Sequence, residues 1–201
     1  IIIRRYFHGP DYINWITYVF FIISLSLIFS LLLAKVLKDY QIKRLIIFMN
    51  PNVDPRGSGW NIIQSKIAIG AGGIFGKGYL RGTQSHYRFL PQQSTDFIFS
   101  ILSEEWGFIG GISVFFLYLV ILIRGLIITK HTNNNFGYYI AAGLTFMFFF
   151  HFIVNVGMVM GIMPITGIPL LFLSYGGSSL WTAMISIGLL ESVRLRRLDF
   201  H

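Results

Sequence analysis

Hydrophobic and polar positions along this chain fall into long blocks. Four apolar blocks, Trp15–Ala34, Trp106–Ile123, Phe136–Met163 and Leu170–Leu190, contain no Asp, Glu, Lys or Arg. Each approaches or exceeds the roughly 20 residues that a helix rising 1.5 Å per residue needs to cross a bilayer. Backbone groups in lipid must be satisfied within the segment, so the blocks are expected to be helices. The first, WITYVFFIISLSLIFSLLLA, has almost no polar face, which argues against the buried helices of a soluble bundle. It is also longer than a signal-peptide core, and no small-residue cleavage site follows it. The expected fold is all-α: a multi-pass helical membrane protein with four transmembrane helices. A long extracellular loop at 35–95 with short interfacial or re-entrant helices completes one membrane domain, 1–201. The chain opens at Ile1 and is read as a fragment.

Composition sharpens this picture. Of 201 residues, 54% are hydrophobic and 12% charged, the latter about half the usual quarter. That excludes a disordered chain, a collagen-like repeat or a disulfide scaffold. Cysteine is absent, which excludes thiol chemistry and Cys-ligated metal. Arg4 and Arg5, Lys130 and His131, and Arg194, Arg196 and Arg197 flank the blocks. By the positive-inside rule they are expected in the cytoplasm, which puts 35–95 and the turn 163–169 outside. The outer segment runs against that rule, since Lys35–Asp96 holds nine basic and three acidic residues out of a whole-chain net charge of +8. Loops of about 60 residues or more escape it.

Two readings of that basic excess stay open. One is attraction to anionic lipid headgroups. The other is a site for an anionic ligand such as a diphosphate. Eight glycines between Gly57 and Gly82 suit the second, because they let backbone N–H groups form an anion-binding nest; they also suit plain hinges. GIFGKGYL lacks the spacing of a phosphate-binding P-loop. Within the segment, WNIIQSKIAI places Trp60, Ile63 and Ile67, with Ile62 at their margin, at helical spacing and predicts a short amphipathic helix, lying in the interface or re-entrant among the spans.

Asp96 ends QQSTD, immediately before the second apolar block. Ser94 or Thr95 is expected to cap a helix there, with Asp96 in its first turn. Ser100, Ser103 and Gly107 then share its face within about 40°. Glu104 lies about 12 Å further along, too far for the roughly 5–9.5 Å separation of paired-carboxylate glycoside hydrolysis. One carboxylate beside cations suits deprotonation of a hydroxyl while a phosphate departs; the plainer reading is a helix cap. Glu104 and Glu105 are costly at membrane depth, which points to ion pairing with loop cations or to function.

His151 and Asn155, four apart, share one helix face and are expected to hydrogen-bond between helices. No second ligand stands near His151 at metal-binding spacing, so no metal site is expected there. Pro164, Gly167 and Pro169 break the chain outside, and Gly176–Gly177 in SYGGSSL serve close packing or a local opening of the fourth span.

Three stretches, NPNVDPRGSGWNIIQSKIAIGAGGIFGKG, GTQSHYRFLPQQSTDFIFSILSEEWGFIG and NVGMVMGIMPITGIPLLFLSYGGSSL, resemble the SEDS (shape, elongation, division, sporulation) family of bacterial cell-wall proteins. The resemblance implies the carboxy-terminal half of such a protein and a peptidoglycan glycosyltransferase. That enzyme polymerises lipid II outside the cytoplasmic membrane, beside a class B penicillin-binding protein. The essential aspartate of the family matches Asp96, the base for the acceptor sugar. Lys66, Lys77, Arg81, Arg88 and Glu104, with Gln84, Ser85 and His86 of GTQSH, are the expected substrate-binding residues. Leu171 stands where the family commonly carries proline. No cofactor is assigned; a divalent cation bridging Asp96 or Glu104 to the diphosphate stays open, since hard cations need few protein ligands. Membrane lipid is an expected partner and nucleic acid is not. Two other functions remain: a flippase of the lipid-linked precursor, and a non-enzymatic scaffold for a penicillin-binding protein.

Overall fold

A computed structural model describes residues 11–36, 38–54, 57–83 and 94–196. The chain divides into two compact units, Ile1–Lys43 and Arg44–His201. The first contains α1 (Asp11–Val36), apolar over Trp15–Ser30. Helix α2 (Asp39–Met49) straddles the boundary. The second unit continues with a short 3₁₀ turn, Pro51–Val53, then α3 (Ser58–Gly72), α4 (Ile98–Lys130), α5 (Asn135–Val159) and α6 (Gly177–Arg196). No strand occurs among the described residues. Among the described residues two helices, α4 and α5, are long and apolar enough to cross a membrane.

The apolar blocks and the helices differ at their ends. The second block belongs to a longer helix, α4, which is interrupted at Gly107 (φ 67°, ψ −158°). The third ends at Val159 rather than Met163, because Gly161 turns the chain with φ 71°. The fourth is helical only from Gly177. Leu170–Gly176 forms an irregular loop, in which the Leu170 amide donates to Ser174 Oγ at 2.7 Å and Ser174 N to Leu170 O at 2.8 Å. Leu170 and Leu171 are buried there without being helical, so hydropathy alone counted them into a span. Leu171, at the position where proline was expected, is held through its carbonyl by the Tyr118 hydroxyl.

Helix α3 corrects the predicted amphipathic face. Trp60 and Ile67 are exposed, while Gly59, Ile62, Ser65, Ala68 and Gly72 are buried where α3 packs on α4 and α5. Small residues set this face because they let backbones approach closely. A Cβ on Gly72 would lie 2.0 Å from Ser103 O. Ser65 Oγ donates to Val159 O at 2.7 Å and shares a hydrogen bond with Ser100 Oγ at 2.8 Å, joining all three helices. The small polar face of α4 (Ser100, Ser103, Gly107) is thus buried, and part of it forms this seam. The main core joins Phe97, Phe99, Val114 and Tyr118 to Phe152, Val156, Met158, Val159 and Leu170.

Candidate active site

The turn Ser94–Phe97 carries Asp96 into the start of α4. The helix begins at Ile98, and its N-cap is Phe97, with no side-chain cap. The expected capping by Ser94 or Thr95, with Asp96 inside the first turn, is therefore corrected. These residues lie ahead of the helix because their carbonyls are engaged elsewhere. Tyr175 N donates to Ser94 O at 2.8 Å, Ser174 Oγ to Thr95 O at 2.6 Å, and Asn155 Nδ2 to Asp96 O at 3.0 Å. Three successive carbonyls are thus held by the stretch 155–175, and Phe97 O receives Ser100 N. The Asp96 carboxylate, half-buried, has no hydrogen bond or ion pair among the described residues. Gly167 leaves room beside it: a Cβ there would lie 3.5 Å from Asp96 Oδ2.

The loop opposite Asp96 is fastened by the polar residues of α5. Asn155 Nδ2 also donates to Ile168 O at 2.8 Å, and His151 Nδ1 donates to Pro169 O at 3.0 Å. The expected helix-to-helix bonding of this pair is corrected: both bind carbonyls of the Pro-rich loop, whose irregular backbone has no helical partners of its own. Arg44 of α2 reaches the same loop, donating to Ile165 O at 3.1 Å and Thr166 O at 3.5 Å.

The break in α4 organises a second group of the expected residues. Without helical φ/ψ at Gly107, carbonyls and amides around it lose their intrahelical partners, and the segment 73–78 supplies them. Lys77 N and Gly78 N donate to Glu104 O and Glu105 O, both at 3.0 Å, and Phe108 N and Ile109 N donate to Gly73 O and Ile74 O at 2.9 and 3.3 Å. Gly76 and Gly107 permit this contact, since a Cβ on Gly107 would meet Gly76 N at 2.3 Å. The amides of Gly76, Lys77 and Gly78 are thus committed to protein carbonyls and form no anion nest. Glu104, fully buried, receives Lys77 Nζ at 2.7 Å and both Thr83 N and Thr83 Oγ1 at 2.8 Å. Glu105 is buried as well.

The expected binding residues therefore divide. Lys77 and Glu104 are joined to each other. Lys66 is exposed on α3, its ammonium lying over Gly161, where a Cβ would come within 2.6 Å of Nζ. It has no ion pair among the described residues. Arg81 is exposed after the Gly78 turn. Gln84, Ser85, His86 and Arg88 lie outside the described residues, directly after Thr83. No cluster of three His, Cys, Asp or Glu able to hold a metal occurs among the described residues.

The FtsW/RodA/SpoVE family model, described as cell cycle protein, matches residues 10–198. The chain belongs to the FtsW/RodA/SpoVE family. It is 66% identical over 190 residues to the peptidoglycan glycosyltransferase RodA of Treponema pallidum (strain Nichols), covering 94% of this chain and 44% of that protein. It is 46% identical over 159 residues to the peptidoglycan glycosyltransferase MrdB of Escherichia coli (strain K12), covering 79% and 43%. Over 154 residues it is 46% identical to the stage V sporulation protein E of Bacillus subtilis (strain 168), covering 77% and 42%. The chain thus spans less than half the length of these relatives. A solved structure described as "Structural coordination of polymerization and crosslinking by a peptidoglycan synthase complex" superposes with a TM-score of 0.69 at 29% identity, over 92% of this chain and 50% of that one.

Sequence reasoning about this FtsW/RodA/SpoVE segment missed the roles of Ser174, Arg44 and Gly107. A lone serine or arginine in a loop carries no sign of its partner. Gly107 offered a faint signal: a glycine next to two buried acids, inside an apolar run, where a helix can be broken and its ends reused.

Proposed function

We propose that this segment carries the catalytic carboxylate of a peptidoglycan glycosyltransferase, which polymerises lipid II into glycan strands at the outer face of the cytoplasmic membrane. One observation carries the reading: the Asp96 backbone is held through its own carbonyl and the two before it, while its carboxylate remains unpartnered. A fixed backbone with an uncommitted acid is the arrangement a general base needs. Asp96 takes the proton of the acceptor sugar's 4-hydroxyl. The freed oxygen bonds to the donor's anomeric carbon as the carbon–oxygen bond to the lipid diphosphate breaks, with inversion. Undecaprenyl diphosphate leaves with the bonding pair.

Cations lower the cost of that departing charge. Lys66 and Arg81 are the accessible candidates, and Arg88 follows in the chain with Gln84, Ser85 and His86 as polar sugar or peptide contacts. Lys77, partly exposed, faces substrate while paired, and buried Glu104 contributes by holding it and Thr83 in place. A divalent cation shared by Asp96 and the diphosphate would supply further charge with few protein ligands.

In this reading α1, α4, α5 and α6 are the four spans. The 35–95 segment faces outward, the Arg194–Arg196 end lies in the cytoplasm, and a class B penicillin-binding protein crosslinks the product. The likeness to a structure concerned with polymerization and crosslinking supports that partner. The test is lipid II polymerisation by the full-length protein bearing Asp96→Asn. The rate should fall at least about a hundredfold, the usual reach of a general base, with folding intact. Retained polymerisation would end the base assignment, and precursor translocation without polymer would favour a flippase.

A further inference from the structure

We propose that Asn155 is a positioning residue: its amide ties the Asp96 carbonyl to the Ile168 carbonyl and so sets where the Asp96 carboxylate meets the acceptor hydroxyl. This rests on the glycosyltransferase reading above.

The geometry carries the proposal. Asn155 is fully buried on α5. Both hydrogens of its amide are used, one toward Asp96 O at 3.0 Å and one toward Ile168 O at 2.8 Å. The two carbonyls belong to segments far apart in sequence, the turn 94–97 and the loop after α5, and neither lies in a helix. The opposite amide orientation would set an oxygen against two carbonyl oxygens, so the hydrogen bonds themselves fix which atom is nitrogen. Asn155 Oδ1 is left buried without a partner. A buried acceptor with no donor is costly, and a leucine of similar size would fill the same space without that cost. What a leucine lacks is the pair of donors.

The neighbouring contacts point the same way. Ser174 Oγ holds Thr95 O and receives Leu170 N, so the same loop grips the residue before Asp96. Gly167, next to Ile168, borders the carboxylate itself. Asn155 therefore joins the base to the wall beside it. A displacement of about 1 Å at a reacting group can cost on the order of a hundredfold in rate. Lys66 and Arg81 stand on other segments, so substrate affinity need not change.

The experiment uses the full-length protein with purified lipid II. Asn155→Leu should lower kcat roughly ten- to a hundredfold and leave KM within about twofold, while the two carbonyls it strands lower the unfolding temperature by a few degrees. Ser174→Ala, which frees the Thr95 carbonyl from outside α5, should lower kcat by a smaller factor and keeps the proposal testable should Asn155→Leu not fold. In an Asp96→Cys background, Asn155→Leu should also change the rate of thiol labelling by a charged methanethiosulfonate several-fold. An unchanged kcat in a folded Asn155→Leu protein, a rise in KM as large as the loss in kcat, or an unchanged labelling rate would overturn the positioning role. Labelling does not depend on turnover. Should Asp96→Asn remain active, the base reading alone fails, and labelling still decides whether Asn155 holds residue 96.

Discussion

Lys77 Nζ stands 2.7 Å from Oε1 of Glu104, a carboxylate with no exposure to solvent. The same oxygen receives the amide and the hydroxyl of Thr83. One buried acid on the first half of α4 thus fastens the chain just before Gln84, Ser85, His86 and Arg88. Removing it strands a cation and two donors. Glu104→Ala should cost about 2–4 kcal/mol, whereas Glu104→Gln, which keeps an acceptor, should cost less. Thermal unfolding of the full-length protein in detergent checks this, and equal stability of Glu104→Ala and the parent would contradict it.

The two lysines should separate in function. Lys66 has no ion-pair partner among the described residues, so Lys66→Ala should lower polymerisation with little change in unfolding temperature. Lys77→Ala leaves the Glu104 charge buried and should lower both. Parallel measurement of rate and unfolding temperature tells them apart; identical profiles for the two variants would remove the distinction.

Gly107 should tolerate no side chain. Its φ of 67° disfavours any L residue, and a Cβ would also collide with Gly76 N and Ile74 O, at 2.3 and 2.6 Å. Gly107→Ala should cost about 3 kcal/mol or more from strain and overpacking combined. Gly143 on α5 has nothing within 4 Å of its ideal Cβ, so Gly143→Ala should be neutral or stabilising by about 0.5–1 kcal/mol. Monodisperse yield on size-exclusion chromatography compares them. A well-behaved Gly107→Ala protein would show that the break is not required.

Ser65 should couple to Ser100. Ser65→Ala leaves the Val159 carbonyl and the Ser100 hydroxyl short of a partner inside the α3–α4–α5 seam, at about 1–3 kcal/mol. Ser65→Ala with Ser100→Ala should cost less than the two single changes added together, because no hydroxyl is then orphaned. Additive costs in unfolding measurements would argue against the shared bond.

The sequence was most legible where one physical signal acts alone. Apolar blocks gave the existence of α1, α4, α5 and α6, because a long run without charge or turn residues favours helix whatever surrounds it. Their ends were poorly legible. Leu170 and Leu171 read as span yet lie buried in a loop, since hydropathy reports burial and not conformation. Helix α3 misled for the opposite reason: its buried face sets Gly, Ser and Ala around Ile62 and Gln64, and two of its large apolar side chains, Trp60 and Ile67, are exposed.

By itself the sequence determined the class of fold and the family, and it marked Asp96 as an acid at the junction of a polar loop and an apolar helix. Composition and short-range spacing act locally and suffice for that. Only tertiary structure decided that Asn155, Ser174 and Tyr175 hold the backbone of the Asp96 turn, that Glu104 takes Lys77, and that Gly76 fits against the broken helix at Gly107. Those pairings join residues 27 to 81 positions apart, and the donors and acceptors that meet across such distances are chosen by packing, which no local pattern encodes.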